Sequence, residues 1–187
     1  MHGPYKGTSL ERLPATQTVW SKWRSLYPDT KVLGRFDNVS NWHDTYDSYY
    51  QTGHGIMHQH NGPLHFGLAV ILAREQKLYP FAEVEKTTLV QDRVAGLPVL
   101  VVLEKATRTA VAFEARVQGK DLEFEPAKDL ILHDRGTKSQ WAGLTGKCLE
   151  GPLKGTALRQ LTTTLFVAEN WRLHYPDGKV YQASQGK

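Results

Sequence analysis

Four histidines in a short stretch of this 187-residue chain are the residues best suited to bind a metal ion. They are His54, His58, His60 and His65. On an extended segment, His58 and His60 would place both imidazoles on one side of the strand, and His54 or His65 would supply a third ligand. Because imidazole nitrogen is a favoured ligand of zinc and copper, one hypothesis is a zinc or copper site. The alternative is a polar loop whose histidines share no ligand, since no carboxylate or cysteine stands at a helpful spacing.

A second set of polar residues is compact in sequence and comprises Asp134, Thr137, Ser139 and Trp141. The carboxylate and hydroxyl groups could orient a ligand or a metal-bound water, with His133 nearby as a base. Alternatively, Asp134 accepts hydrogen bonds from the backbone amides of a turn, and Ser139 and Trp141 alternate along the strand that follows. No pair of base and nucleophile stands out, so the sequence assigns no catalytic residue and no cofactor-binding residue.

Composition excludes several other kinds of site. Cys148 is the single cysteine, so the chain has neither an intrachain disulfide framework nor a Cys-rich zinc site. The hydrolase, zinc-protease and dinucleotide-binding strings are missing. The net charge is +4, but the Lys and Arg residues are scattered and locally matched by acidic residues. Nucleic acid is therefore not a predicted partner, because phosphate binding requires clustered positive charge.

Nothing in the chain predicts a membrane span or a secretory signal. No apolar run approaches the roughly 18 residues that a membrane-spanning helix requires. Residues 1–5 lack the charged and apolar regions of a signal peptide. The alternatives are a cytoplasmic protein, a mature chain or a fragment.

Residues 3–33 and 151–181 are two copies of one segment. At a constant offset of 148 residues, sixteen of the 31 aligned positions are identical, against about two expected from composition. Both copies open on Gly-Pro-x-Lys-Gly-Thr-x-Leu and close on Tyr-Pro-Asp-x-Lys-Val. The spacing of Val19, Trp23 and Leu26 predicts a short helix that ends before Pro28. A Trp-centred apolar face on each copy must be covered by something, and core packing is the simplest role for the indole.

The duplication predicts three regions along the chain. Residues 1–35 are interpreted as the C-terminal tail of a preceding repeat copy, residues 36–65 as a Tyr- and His-rich linker or loop, and residues 66–187 as a β-rich domain. The offset of 148 residues is a common length for a whole domain and is far longer than a solenoid repeat. Such a tail either packs back on its own domain or belongs to a neighbour in a longer protein or assembly.

Short apolar runs separated by turn residues predict the secondary structure of the third region. Strands are predicted at residues 64–72, 98–103, 109–113, 122–124 and 130–133. A turn is predicted at residues 75–77. The predicted fold class is α+β, mainly antiparallel β with short terminal helices and a duplicated terminal segment.

The order of these elements from Tyr79 onward resembles a bacterial and archaeal family known as domain of unknown function 3179. Its most specific string, Asp-Arg-x-Thr-x-Ser-x-Trp, is found here at residues 134–141. Further strings match in order at residues 79–80, 90–92, 95–99, 109–113, 119–124 and 145–158. The resemblance covers most of residues 66–181.

One departure from the family pattern limits what the resemblance implies. Family members typically carry a Cys-Pro-Leu-Cys string just before Thr-Ala-Val-Ala-Phe, a pair suited to thiol or metal chemistry, and residues 103–108 replace it here. Activity resting on that pair is therefore not expected, and the simplest interpretation is a degenerate copy that keeps the fold and loses the site. Because such proteins are usually exported, the resemblance also implies a periplasmic or secreted location.

The leading functional prediction is a non-catalytic, exported, β-rich structural or interaction module within a larger duplicated protein or assembly. A protein partner or self-association follows from that interpretation, and the aromatic-rich residues 42–50 add to it. The first alternative is a zinc- or copper-binding protein that uses the four histidines. The second is an enzyme that uses Asp134 and Ser139.

Overall fold

The computed structural model describes residues 6–8, 11–33, 66–72 and 74–183. The predicted linker at 36–65 and the four histidines lie outside these residues. The helices are α1 Trp20–Leu26, α2 Phe81–Val84 and α3 Trp171–His174, with 3₁₀ turns at Lys128–Leu130 and Ala168–Asn170. The strands are β1 Phe66–Leu72, β2 Glu75–Pro80, β3 Leu89–Val94, β4 Leu97–Glu104, β5 Thr109–Glu114, β6 Arg116–Val117, β7 Lys120–Asp121, β8 Phe124–Pro126, β9 Ile131–Asp134, β10 Gln140–Ala142, β11 Cys148–Glu150, β12 Arg159–Gln160, β13 Thr163–Val167 and β14 Lys179–Val180.

A central sheet with strand order β12-β5-β4-β3 is buried on both faces. Successive residues of a strand point to opposite faces. In β4, Val99, Val101 and Leu103 therefore enter one hydrophobic core, and Leu100 and Val102 enter another. This two-sided burial explains why β4 is a continuous apolar run instead of an alternating one.

The first sheet, with strand order β13-β1-β2-β14, covers one face of the central sheet. Phe66, Leu68 and Val70 of β1 pack toward the central sheet. The intervening Ala69 packs on the outer side with Leu78 and Trp171. All pairings in this sheet are antiparallel except that of β14 with β2, which is parallel.

The third sheet, with strand order β11-β10-β9-β8, covers the other face of the central sheet. Phe124, Leu132 and Trp141 of this sheet are fully buried in the core between it and the central sheet. The centroids of the Phe124 and Trp141 rings lie 5.9 Å apart with the ring planes at 89°, which is a favourable aromatic geometry. Two sheets therefore enclose a third, and a small ribbon of β6 and β7 is appended.

The predicted fold class is confirmed, because the described residues are mainly antiparallel strands with a few short helices. The helix α1 begins and ends where the spacing predicts, although α2 is internal rather than terminal. No helix among the described residues is long and apolar enough to cross a membrane.

Two local predictions are wrong. Residues 75–77 form the start of β2 instead of a turn, because ion pairs make their charges acceptable in a strand. Glu75 pairs with Lys179 at 3.0 Å, and Lys77 pairs with Asp92 at 2.6 Å. The strand predicted at 122–124 begins only at Phe124, where Gln91 bonds both the backbone N–H and the carbonyl of that residue.

Candidate functional site

The string at residues 134–141 forms the hairpin between β9 and β10. The side chains of this string that match the family pattern meet in one buried group. We call Asp134, Thr137, Ser139 and Trp141 the Asp134 cluster. One carboxylate oxygen of Asp134 accepts the Thr137 N–H at 2.5 Å. The other accepts the Thr137 hydroxyl at 2.7 Å, the Ser139 N–H at 3.1 Å and the Trp141 indole N–H at 3.1 Å. The carboxylate is thus fully occupied by donors from its own hairpin.

These donors determine the protonation state of Asp134. Burial acts to raise the pKa of this carboxyl, but the hydrogen bonds from Thr137, Trp141 and Ser139 outweigh burial, and its pKa lies below the ordinary value. Asp134 is therefore an ionised carboxylate at neutral pH. A proton acceptor in catalysis needs a free lone pair directed at a substrate. The contacts of Asp134 instead suit an anion that holds a turn in place.

Ser139 connects this hairpin to the start of the second sequence copy. Its hydroxyl lies 2.6 Å from that of Thr137 and accepts the Leu153 N–H at 3.2 Å. Because the Thr137 hydroxyl donates to Asp134, the Ser139 hydroxyl donates to Thr137. Gly151, at a φ of 97°, packs so closely that a Cβ atom there would lie 2.7 Å from the Ser139 Cα. Two strings that are separated in sequence therefore meet at the buried Ser139 side chain.

Two neighbouring residues that could take part in chemistry, Cys148 and His133, are not arranged to do so. Cys148 is buried, and burial raises the pKa of its thiol, so the thiolate is disfavoured. His133 lies between Leu132 and Asp134 in β9, so its side chain points to the opposite face of the strand from the Asp134 carboxylate. The structure brings the Asp134 cluster together but does not bring His133 to it.

The predicted histidine site lies outside the described residues. Within the described ranges, no group of three or more His, Cys, Asp or Glu side chains is arranged to hold a metal ion. The metal hypothesis for His54, His58, His60 and His65 therefore stays a prediction.

The two sequence copies share the end of their helix, although residues 163–167 and 179–180 form strands and the equivalent residues 15–19 and 31–32 do not. We call residues 11–33 the N-terminal unit and residues 159–181 the C-terminal unit. The Trp23 and Tyr27 rings lie 4.6 Å apart at 38°, and the equivalent Trp171 and Tyr175 rings lie 4.5 Å apart at 32°. Each tyrosine follows the last helical residue and donates its N–H to the carbonyl of the tryptophan four residues earlier. Local sequence is therefore enough to specify this short helix and its end.

The N-terminal unit packs back on the domain that follows it. Gln160 donates a hydrogen bond to the Thr16 hydroxyl at 2.9 Å, and the Thr18 and Thr109 hydroxyls lie 2.6 Å apart. Lys22 forms an ion pair with Glu104 at 2.9 Å. Burial acts to raise the pKa of Glu104, but hydrogen bonds from Thr107 and Lys22 outweigh burial and lower it. Apart from Leu26, which packs against the core between the central and third sheets, these contacts are polar, and partly exposed polar contacts stabilise less than a core.

The two units differ most clearly in the burial of their equivalent apolar side chains. Leu13 is 76% exposed, whereas its equivalent Leu161 is 2% exposed in the central core. Val32 is 68% exposed, whereas its equivalent Val180 belongs to β14 and packs beside Trp171. Val19, Trp20 and Leu33 are exposed in the same way. An apolar surface that is buried in one copy is therefore open in the other.

A cleft of about 690 Å³ lies between the N-terminal unit and the first and central sheets. Phe66, Leu68 and Phe81 form an apolar floor, and threonine hydroxyls and Arg108 lie around them. The Arg108 guanidinium is 3.3 Å from a Glu85 carboxylate oxygen, so its charge is largely neutralised. Residues 103–108, which replace the family's cysteine pair, supply Thr107 and Arg108 to this cleft. An aromatic floor with a hydroxyl rim suits a small amphipathic molecule.

Together these features define a three-layer, mainly antiparallel β domain with a buried aspartate hairpin and a duplicated terminal unit. The family model described as "Protein of unknown function (DUF3179)" matches residues 1–126 and 67–187, and the chain belongs to this family. The two overlapping matches agree with the duplication. No curated protein and no solved structure matches the chain.

Sequence reasoning missed two features of this region. The contact of Ser139 with Gly151 and Leu153 joins strings that are not adjacent in sequence, and only their common membership in the family pattern could have linked them. The exposure of Trp20, Val32 and Leu33 was not predicted either.

Proposed function

We propose that this protein is a non-catalytic interaction module that works outside the cytoplasm as part of a larger duplicated protein or assembly. The observation that carries the proposal is the exposed apolar surface of the N-terminal unit, formed by Leu13, Val19, Trp20, Val32 and Leu33. Four of these residues form the adjacent pairs Val19–Trp20 and Val32–Leu33, and grouped exposed apolar residues are typical of a protein contact. The contacts of the Asp134 cluster support the non-catalytic part, because its carboxylate and hydroxyls are committed to each other and to the backbone.

Sedimentation velocity over a wide range of protein concentration tests this proposal. We expect reversible association that is lost when Trp20 and Val32 are both replaced by serine. Leu173, which is equally exposed but lies on α3 of the C-terminal unit, provides the matched control, and Leu173→Ser is expected to leave association unchanged. A parent protein that stays monomeric at every concentration, and that also stays folded without residues 1–33, would remove the assembly role.

The extracytoplasmic part of the proposal is supported by the resemblance of the chain to a family whose members are usually exported. Fractionation of the source cells, followed by detection with an antibody against this domain, tests it directly. We expect the protein in the periplasmic or secreted fraction. Recovery in the cytoplasmic fraction alone would contradict the location and leave the interaction role untouched.

A second proposed function is zinc or copper binding by His54, His58, His60 and His65. The spacing of His58 and His60 supports it, because alternate residues of an extended segment lie on one side. Elemental analysis of the purified protein tests it, with His58→Ala/His60→Ala as the variant. His174, which lies in α3 against Phe166, provides the control His174→Ala. Stoichiometric metal lost only from the double variant supports the site, and a parent that binds neither ion removes it.

A further inference from the structure

The N-terminal unit has two faces, and one of them is used by the domain that follows it. In α1, Lys22 and Leu26 are four residues apart and therefore share a face. Lys22 pairs with Glu104, and Leu26 packs against the core between the central and third sheets. Trp20 lies on the opposite side of the helix and is 51% exposed. The unit is thus attached by one face and presents the other.

The preceding residues divide in the same way. Thr16 and Thr18 bond to the domain through their hydroxyls, whereas Gln17 and Val19 are exposed and border the cleft between the unit and the domain. Their equivalents in the second copy, Leu165 and Val167, pack against the core between the first and central sheets. The side chains left open in the first copy are therefore those that the second copy directs into a core.

The C-terminal unit shows what such a face packs against. Trp171 lies on the outer face of the first sheet, against Ala69 and Leu78. Val180 is the parallel partner of Leu78 in β2, and the Tyr181 N–H donates to the Leu78 carbonyl at 2.8 Å. The end of the unit therefore adds a strand to the edge of a sheet.

We infer that the N-terminal unit completes the first sheet of a second domain of this family and so joins two such domains. The inference rests on the proposed interaction role and names its partner. In that contact, residues 31–33 add as a parallel strand beside a β2-type edge, as their equivalents do at the end of the C-terminal unit. The unit already holds the required local conformation, so little ordering of its helix opposes the contact.

A tandem protein, in which a second domain precedes the N-terminal unit and the rest of the chain, tests this inference. In the test tandem, residues 66–160 are joined directly to residue 13 of the chain, so the added domain has only the N-terminal unit to complete its first sheet. In the control tandem, residues 66–183 precede residue 11, so the added domain keeps its own C-terminal unit. In the duplication, residue 13 is the equivalent of residue 161. Joining residue 160 directly to residue 13 therefore keeps the register of the duplication.

We expect both tandems to fold as two domains. In the test tandem, the amide of Leu33 should exchange with solvent at least about 100-fold more slowly than in the parent chain, because it would donate to a strand edge. Val32→Asp should unfold the added domain of the test tandem only. The same substitution should leave the folding stability of the parent chain and of the control tandem unchanged, because Val32 is exposed in the folded domain of both.

An added domain that folds in the control tandem but not in the test tandem would overturn the inference. So would a test tandem in which Val32→Asp has no effect and Leu33 still exchanges fast. Either result would leave the proposed interaction role standing if the parent chain still associates through Trp20 and Val32. Absence of that association would remove the proposed role by itself.

Discussion

The N-terminal and C-terminal units carry closely related sequences and the same helix end, yet only one of them is built into a core. Trp171 is 1% exposed beneath Phe166 and beside the first sheet, whereas Trp23 remains half-buried. The shared helix end shows that local sequence sets the conformation there, whereas β13 and β14 have no strand counterpart in residues 11–33. The difference in burial shows that stability comes from the sheet it packs against, as is general for short helices.

The largest difference between the units should come from their tryptophans. We expect Trp171→Ala to lower the free energy of unfolding by about 3–5 kcal/mol, because it leaves a cavity against Ala69 and Leu78. Trp23→Ala should cost only about 1–2 kcal/mol, since that ring is partly in water. Urea unfolding followed by circular dichroism measures both. Equal losses would show that the N-terminal unit is as deeply packed as the C-terminal one.

The Asp134 cluster secures the beginning of the second copy, and breaking it should have the next largest effect. We expect Asp134→Asn to cost about 2–4 kcal/mol at neutral pH, because an amide cannot accept all four hydrogen bonds. The pKa of Asp134 is lowered in the folded protein. Its stabilisation is therefore present above the unfolded pKa of about 3.9 and is lost as the pH falls through the lower folded value.

Urea unfolding of the parent and of Asp134→Asn across the acidic range measures this dependence. The difference between the two proteins should shrink as the pH falls below about 4. Asp129→Asn, at an exposed carboxylate in a 3₁₀ turn, is the matched control for removal of a carboxylate and should leave the free energy of unfolding at neutral pH nearly unchanged. A difference that stays constant with pH would contradict an ionised Asp134.

The residue that faces the indole nitrogen differs between the two units. It can therefore be replaced in each unit by the residue that the other unit carries. The Trp23 N–H donates to Thr30 at 2.9 Å. At the equivalent position is Gly178, and the Trp171 N–H has no acceptor among the described residues. A Cβ at residue 178 would lie 2.8 Å from the Trp171 ring. The buried ring therefore requires glycine where the half-buried ring tolerates threonine.

We expect Gly178→Thr to cost about 1–3 kcal/mol through overpacking. Thr30→Gly should cost about 1 kcal/mol through the lost hydrogen bond. Thermal unfolding of the two variants beside the parent measures both changes. A stabilised Gly178→Thr protein would mean that the new hydroxyl satisfies the Trp171 N–H without strain and that the two rings have equal freedom.

The ion pair that attaches the N-terminal unit should contribute least. Lys22→Ala is expected to lower stability by about 0.5 kcal/mol, because partly exposed ion pairs are weak. Lys105→Ala, in the adjacent exposed turn, is the control and should have no measurable effect. Urea unfolding at low and high salt separates them, since salt should abolish the difference. A loss of several kcal/mol would mean that the unit is an integral part of the core.

Much of this fold follows from local sequence, and the remainder depends on contacts between distant residues. The apolar run of β4 predicts a buried strand, and the spacing of Val19, Trp23 and Leu26 predicts α1. The start of β2 could not be predicted, because the pairing of Glu75 and Lys77 with distant partners makes a charged strand stable. The parallel addition of β14 to β2 joins residues about a hundred positions apart, which no local pattern specifies.

In the candidate site, too, a local feature could be predicted from the sequence and a long-range contact could not. The turn role of Asp134 is one of the two interpretations that sequence left open, and its hydrogen bonds favour that one. The contact between Ser139 and Leu153 is long-range and had no local signal. The exposure of the N-terminal unit could not be predicted either. Two closely related copies predict similar burial, and the sequence does not show which of them packs against a sheet.

Hydrogen exchange of the parent chain, measured residue by residue, tests the central claim most directly. We expect the Tyr27 and Tyr175 amides to be protected alike, because both close the same helix end. The Tyr181 amide should exchange at least about 100-fold more slowly than the Leu33 amide, because Tyr181 bonds the edge of β2 and Leu33 is exposed. Equal protection of Leu33 and Tyr181 would contradict the claim that the first unit presents an open docking face.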